Sequence, residues 1–312
     1  MYLPRFIIPC LALFYIFGLY GVTAVFAFSA EHEGSLETRV EQAIRSQVTR
    51  SSMTCQGELI CGTDVLPEFY AQHVYQPVWG LTQGAWSKAE AMLDCIHASA
   101  TQAMRPADYH VQALEELLAD LQSQWPTLEP QGVADADILL TDAFLILAGH
   151  LRAGRVNPQT LYPSWVASAH APDLIAALNR ALGSGDLSQE LKRQLPPHLG
   201  YHTLRRAWER YARLAEFGGW PHIIEGKNLE QGDDSPRVID LMQRLAITGD
   251  LTFNPHTILD NRFRQSLDDA VRSFQRRHGL RVDGIVGPKT LAALNVSAQE
   301  RSTQLALNLE RW

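Results

Sequence analysis

From Thr63 onward, apolar residues recur at helical spacing. Ala89, Met92, Leu93 and Ile96 fall at i, i+3, i+4 and i+7, one face of a helix. Ser87 to Glu90 ahead of them matches a capping box. Leu114, Leu117, Leu118 and Leu121 make a second stripe. The run from Asp135 to Leu151 is apolar nearly all round, which predicts a central buried helix too short to span a membrane. Another helix is expected from Pro172, a residue suited to the first helical position, to near Gly183. A last one covers about Thr203 to Phe217. There is no convincing run of alternating strands and no internal repeat. Residues 63–225 therefore read as one helical domain, closed by Gly218-Gly219-Trp220-Pro221.

A linker at 226–234 leads to a compact unit at 235–296. Ser235 is placed to cap, Pro236 to take the first position, and Val238, Leu241, Met242 and Leu245 form the apolar stripe. A second helix opens around Ser266 to Asp269, buries Leu267, Ala270, Val271 and Phe274, and stops at Gly279. Asp283-Gly284 marks a tight turn. Gly287-Pro288 starts a third helix that buries Leu291 and Leu294. The fold class expected is mainly α: a helical domain followed by a small three-helix bundle. Leu251 to Gln265, between the first two helices, is unusually long for a connection without structure of its own.

The N-terminus has a different pattern. Arg5 is the only charge before Phe6 to Phe28, a stretch without charged residues. As a helix it would be about 34 Å long, against a hydrocarbon core of roughly 30 Å. Val25-Phe26-Ala27 also suits signal cleavage, so residues 1–28 read as a signal peptide or a signal anchor, with both open. Either reading exports the rest of the chain, to a periplasm if the cell is Gram-negative, with the inner membrane as a partner of this segment. Residues 29–62 are polar and read as a tether, with a helical piece around Leu36 to Val48. In an oxidising compartment Cys55 and Cys61, flanking a short loop, are the couple most open to pairing; unpaired thiols are the alternative.

Composition narrows the partners. A net charge of -7 with 20% charged residues disfavours nucleic acid, which demands clustered Lys and Arg. At 46% hydrophobic the chain has material for a sizeable core. No cofactor or metal site is expected. His198 and His202 lie four apart, but no Glu follows His198 to make a metalloprotease helix. Asp135, Asp137 and Asp142 suggest paired carboxylates for glycosidic cleavage, yet Asp135 and Asp137 read better as helix-start residues. Trp79 and Trp220 read as core packing.

Several stretches carry a resemblance. Ala270 to Leu280, Val282-Asp283-Gly284-Ile285-Val286-Gly287 and Thr290 to Leu294 look like the peptidoglycan-binding type 1 domain. Phe69-Tyr70 through Gln76-Pro77-Val78-Trp79, Pro106-Ala107-Asp108-Tyr109-His110 and Leu140-Thr141-Asp142-Ala143-Phe144 resemble the scaffold domain of large Gram-negative L,D-transpeptidases. Gly154-Arg155-Val156-Asn157-Pro158 and Gly218 to Pro221 continue that likeness. Asn308-Leu309-Glu310-Arg311-Trp312 is similar to the segment leading into that family's catalytic domain, so 297–312 reads as the start of that connection.

The resemblance implies peptidoglycan as partner. The cationic candidates for its stem-peptide carboxylates are Arg272, Arg276, Arg277 and Arg281, against a reading in which they complement the helix dipole. Gln275 is the candidate for reading a glycan or peptide amide. Phe274, Gly279, Asp283, Gly284, Gly287 and Thr290 read as mostly architectural. The family's nucleophile is a cysteine in a His-Gly-Cys sequence. Cys10, Cys55, Cys61 and Cys95 all precede the bundle and none follows His-Gly, so no catalytic residue carries over. The expectation is a non-catalytic peptidoglycan-binding protein of cell wall organisation. The alternatives are the substrate-positioning half of a transpeptidase and a scaffold that docks other wall-building enzymes.

Overall fold

The computed structural model of the protein describes residues 34–50, 53–156, 173–253 and 259–310. The expected membrane or signal stretch at Phe6 to Phe28 lies outside the described residues, as do Pro172, Asn157 and Pro158. Among the described residues no helix is long and apolar enough to cross a membrane. The fold is mainly α, with one two-stranded hairpin, and divides into two compact units.

The first unit gathers the described residues up to Cys95 with Tyr109–Ile146 and Ile175–Ser188. Its elements begin with α1 (Leu36–Val48), β1 (Thr54–Cys55), β2 (Glu58–Leu59) and α2 (Leu66–Gln72). They continue with α3 (Ser87–Ala98), α4 (Val111–Gln124), α5 (Pro130–Ala153) and α6 (Leu174–Ser184). The helical piece expected at Leu36 to Val48 is α1, but the surrounding stretch is no tether. Val40, Ile44, Val48, Met53 and Ile60 are buried, because α1 is amphipathic and α2 covers it. The hairpin sets Thr54 opposite Leu59 and Cys55 opposite Glu58. Its turn holds Gln56 and Gly57 at positive φ, the conformation of tight hairpins.

α5 supplies the centre of this unit. It starts at Pro130, several residues earlier than the apolar run suggested, so Asp135 and Asp137 lie inside the helix rather than at its start. Ser87 likewise is the first helical residue of α3 and not a cap ahead of it.

The second unit holds the described residues of Ile96–Asp108 and Leu147–Leu174 and the chain from Gln189 on. A short α7 (Leu187–Arg193) leads towards it, followed by α8 (Leu199–Glu216). The bundle comprises α9 (Arg237–Thr248), α10 (Gln265–Arg277) and α11 (Pro288–Asn295). Its core joins Val238, Leu241 and Leu245 of α9 to Leu267, Val271 and Phe274 of α10 and Leu294 of α11. A further helix, α12 (Ala298–Leu309), packs along α8 where only a connection was expected.

The expected linker is woven into the bundle. Leu229 is buried and exchanges backbone hydrogen bonds with Val286 at 3.3 and 2.8 Å. Gly232 N–H donates to Phe263 O and Phe263 N–H to Asp233 O, each at 2.9 Å. The long connection before α10 thus gives Phe263 to the core and pins the chain before α9.

Candidate functional site

Two polar systems carry chemistry-bearing side chains, one in each unit. In the first unit four polar groups interrupt the apolar surface of α5. Asp135 is 5% exposed; Asp137, Thr141 and Asp142 are fully buried. A buried carboxylate is costly unless hydrogen-bonded, and each of these three is well supplied. Asp135 accepts from Gln47 Nε2 and Gln56 Nε2, both at 2.6 Å, and from Gln131 Nε2 at 2.9 Å. Asp137 accepts from Tyr70 OH at 2.8 Å and from the N–H groups of Val78 and Trp79 at 2.9 and 3.1 Å. Trp79 Nε1 donates to Thr141 Oγ1 at 3.0 Å. Burial pushes Asp137 up to about 7, against the pull of those three donors.

Asp142 accepts from the N–H of Cys61 at 3.0 Å, the N–H of Gly62 at 2.6 Å and His110 Nε2 at 2.9 Å. The other ring nitrogen of His110, Nδ1, lies 3.0 Å from Glu58 on β2. One imidazole therefore bridges two carboxylates. Burial pulls the His110 pKa down, but the hydrogen bonds to Asp142 and Glu58 outweigh it, and the net shift is upward.

Asp142 joins His110 to the backbone N–H of a cysteine, Cys61. This arrangement does not make a nucleophile. Both ring nitrogens of His110 are already engaged, and burial and Asp142 raise the Cys61 thiol. Cys55 is pushed up to about 12 by burial, then by Asp135 and Asp142. A thiolate is the reactive form, and this surrounding opposes it. The expected Cys55–Cys61 bridge is not formed: Cys55 points into the core from β1, while Cys61 is exposed. The three aspartates are equally unfit for glycosidic cleavage, because no substrate reaches a carboxylate sealed in the core.

In the bundle, Gln275 is fully buried and acts as a hub. Its Nε2 donates to Asp283 Oδ1 at 2.9 Å and Ile285 O at 3.0 Å, with Thr290 Oγ1 at 3.3 Å. Its Oε1 accepts from Asp283 N–H and Gly284 N–H, both at 3.0 Å. The amide expected to read a ligand is consumed in shaping the loop between α10 and α11. Asp283 also accepts from Ile285 N–H at 3.0 Å; that bond and the one from Gln275 hold its carboxyl below the usual range. Gly284 is the position where glycine is required. Its φ is +76°, and a Cβ there would sit 2.0 Å from Asp268 Oδ1.

The arginines divide into two kinds. Arg272 is committed to Asp268, at 2.6 Å, and to Asp283 O at 2.9 Å. Arg277 pairs with Asp250, with its Nε 3.2 Å from Oδ1. Arg276 is exposed and has no side-chain partner among the described residues. Arg281 is 89% exposed, with Asp283 Oδ2 at 3.6 Å.

One arginine absent from the sequence expectation is the most buried arginine among the described residues. Arg244 of α9 donates to Leu294 O at 2.7 Å and to Thr248 Oγ1 at 3.1 Å, with its guanidinium 3.8 Å from the Trp220 ring. Burial lowers it to about 10, still charged at neutral pH. His278 stacks on Phe274 at 4.0 Å and is pushed down to about 4, by burial first and then by Arg277 and Arg301.

Three further motif residues meet in the second unit. Glu310 accepts from the N–H of Val156 at 3.0 Å, from the N–H of Arg155 and from Arg155 Nε at 3.2 Å. Arg155 Nη1 lies 4.0 Å from Asp108. Gly154, at φ +80°, leaves room for this clasp. Among the described residues no group of His, Cys, Asp and Glu has metal-site geometry.

The comparisons agree with this layout. Residues 234–294, the bundle with its woven lead-in, match the family model of a peptidoglycan binding domain. Residues 64–207 match the Scaffold domain, the N-terminal region of L,D-transpeptidases. The chain therefore carries a region that matches the Scaffold domain followed by a region that matches a peptidoglycan-binding domain. A search of curated proteins gave no match.

Proposed function

We propose that this is an exported cell-envelope protein that binds peptidoglycan through the bundle and takes part in cell wall organisation. The observation that carries the reading is the matched binding domain with two exposed cations in a protein of net charge -7: Arg276, without a side-chain partner among the described residues, and Arg281, 89% exposed and only loosely paired with Asp283 at 3.6 Å. Exposed guanidinium groups suit the carboxylates of stem peptides. Arg272 and Arg277 are excluded from that role because their forks already hold Asp268 and Asp250.

The charge-free stretch Phe6 to Phe28 supports export, as a signal peptide or an anchor in the inner membrane of a Gram-negative cell. Burial raises both Cys55 and Cys61 away from the reactive thiolate, which supports binding rather than catalysis by these residues. A second reading is favoured by the Scaffold match: this is the substrate-positioning part of an L,D-transpeptidase. Co-sedimentation with purified sacculi tests the binding. Wild-type chain pellets at low salt, and Arg276→Ala with Arg281→Ala weakens retention several-fold; wild-type chain left in the supernatant refutes it. An alkaline phosphatase fusion after Trp312 is active if the chain is exported, and an inactive fusion refutes export.

A further inference from the structure

The first unit presents an aromatic pair that its packing does not explain. Trp125, at the end of α4, is 42% exposed, and Trp86, just ahead of α3, is half-buried. Their rings meet edge to face, with centroids 6.1 Å apart and planes at 88°. Trp125 is held firmly: Gly84, at φ +68°, lies against its six-membered ring, so close that a Cβ there would sit 2.8 Å from Cζ2. One side of the indole therefore rests on backbone, leaving the remainder to water. Neither indole N–H has a partner among the described residues.

Polar groups flank this pair in register. Glu90 lies one turn beyond Trp86, and Gln122 one turn before Trp125. Both are exposed, and Gln122 Nε2 donates to Glu90 Oε1 at 3.2 Å. The surface thus combines fixed indole faces, free indole donors, an amide and a carboxylate. Nucleic acid would need cations here, and an apolar peptide would leave the Glu90 carboxylate desolvated and unpaired. A sugar chain meets each requirement. The C–H face of a pyranose stacks on an aromatic ring, while its hydroxyl and acetamido groups need both donors and acceptors. A rigid aromatic also binds at low entropic cost.

We propose that Trp86 and Trp125, with Gln122 and Glu90, form a second glycan-binding site, on the scaffold region, for an uncharged chain of β-linked N-acetylhexosamines. The site is independent of the arginines of the bundle, and would let one protein hold a wall strand at two places. Two weak sites on one chain raise retention on a polymer well beyond either alone.

The test uses the full chain and a β-1,4-linked N-acetylglucosamine hexamer. Tryptophan oxidation by N-bromosuccinimide is mapped by mass spectrometry, with and without the hexamer. The expected result is protection of Trp125 at least threefold. Trp125→Ala is expected to weaken hexamer binding tenfold or more by calorimetry, and Trp125→Phe less. Equal oxidation of Trp125 with and without hexamer at millimolar concentration overturns the site, as does unchanged binding by Trp125→Ala. The oxidation readout needs no variant to fold. Chain that pellets with sacculi but shows no Trp125 protection keeps the wall-binding reading and discards this site. Protection by the hexamer without sacculus binding does the reverse.

Discussion

Replacing Gln275 by Ala separates an architectural role from a binding one. The change removes an acceptor from two backbone N–H groups, those of Asp283 and Gly284, and a donor from Ile285 O and Thr290 Oγ1. Gln275 is fully buried and Gly284 is buried, so water does not replace the lost partners without opening the loop. Each orphaned buried group costs about 1–3 kcal/mol. Two orphaned amides alone put the loss at about 2–6 kcal/mol, a large part of the ~5–15 kcal/mol that holds a typical domain folded. Hydrogen exchange by mass spectrometry on the full chain reads this locally. Amides of α10 and of the loop to α11 that open with the bundle should exchange at least about 25-fold faster, since 1.4 kcal/mol is tenfold. Peptides from α1 and α4 should be unchanged. If exchange at residues 265–295 is unaltered while sacculus binding falls, Gln275 contacts ligand and the architectural argument is wrong.

Two other perturbations follow from the same geometry. Gly284→Ala forces a left-handed residue with a side chain against Asp268 and should destabilise the bundle by about 2 kcal/mol or more, read by the same exchange; an unperturbed bundle would refute the close approach. His110, its pKa raised in the folded state, contributes stability that is fully present below its unfolded pKa and is lost as pH rises through the folded value. Once intrinsic exchange chemistry is corrected for, protection of Cys55 to Gly62 should therefore fall as pH increases above about 6.5, and His110→Ala should remove that dependence; a flat profile in wild-type chain would show that the Glu58–His110–Asp142 bridge carries no charge.

Much of this was legible in the sequence where periodicity and punctuation agree. The bundle is the clearest case: Gly279, Asp283-Gly284 and Gly287-Pro288 mark the ends that α10 and α11 adopt. Helix α12 carries a local sequence signal, the Ser297 and Glu300 pair that forms a reciprocal capping box at its start. The sequence reads Asp135 and Asp137 as helix-start residues, and the difference from the buried network has a physical reason. Periodicity reports which face is apolar, not that Tyr70, Trp79 and His110 arrive from distant segments to satisfy buried carboxylates. The same holds for Gln275 and Arg244, whose partners are fixed only by the tertiary fold. A polar side chain looks alike in sequence whether it faces water, a ligand or the backbone of a neighbouring loop.

The claim that the bundle contacts peptidoglycan is tested most directly by mapping where the wall protects the chain. Full-length protein is exchanged in deuterated buffer with and without solubilised peptidoglycan fragments at low salt. The account predicts slowed exchange within residues 234–294, centred on Arg276 to Asp283 and lost as salt screens the arginines. Protection confined to the first unit, or none anywhere while the fragments are in excess, would contradict it.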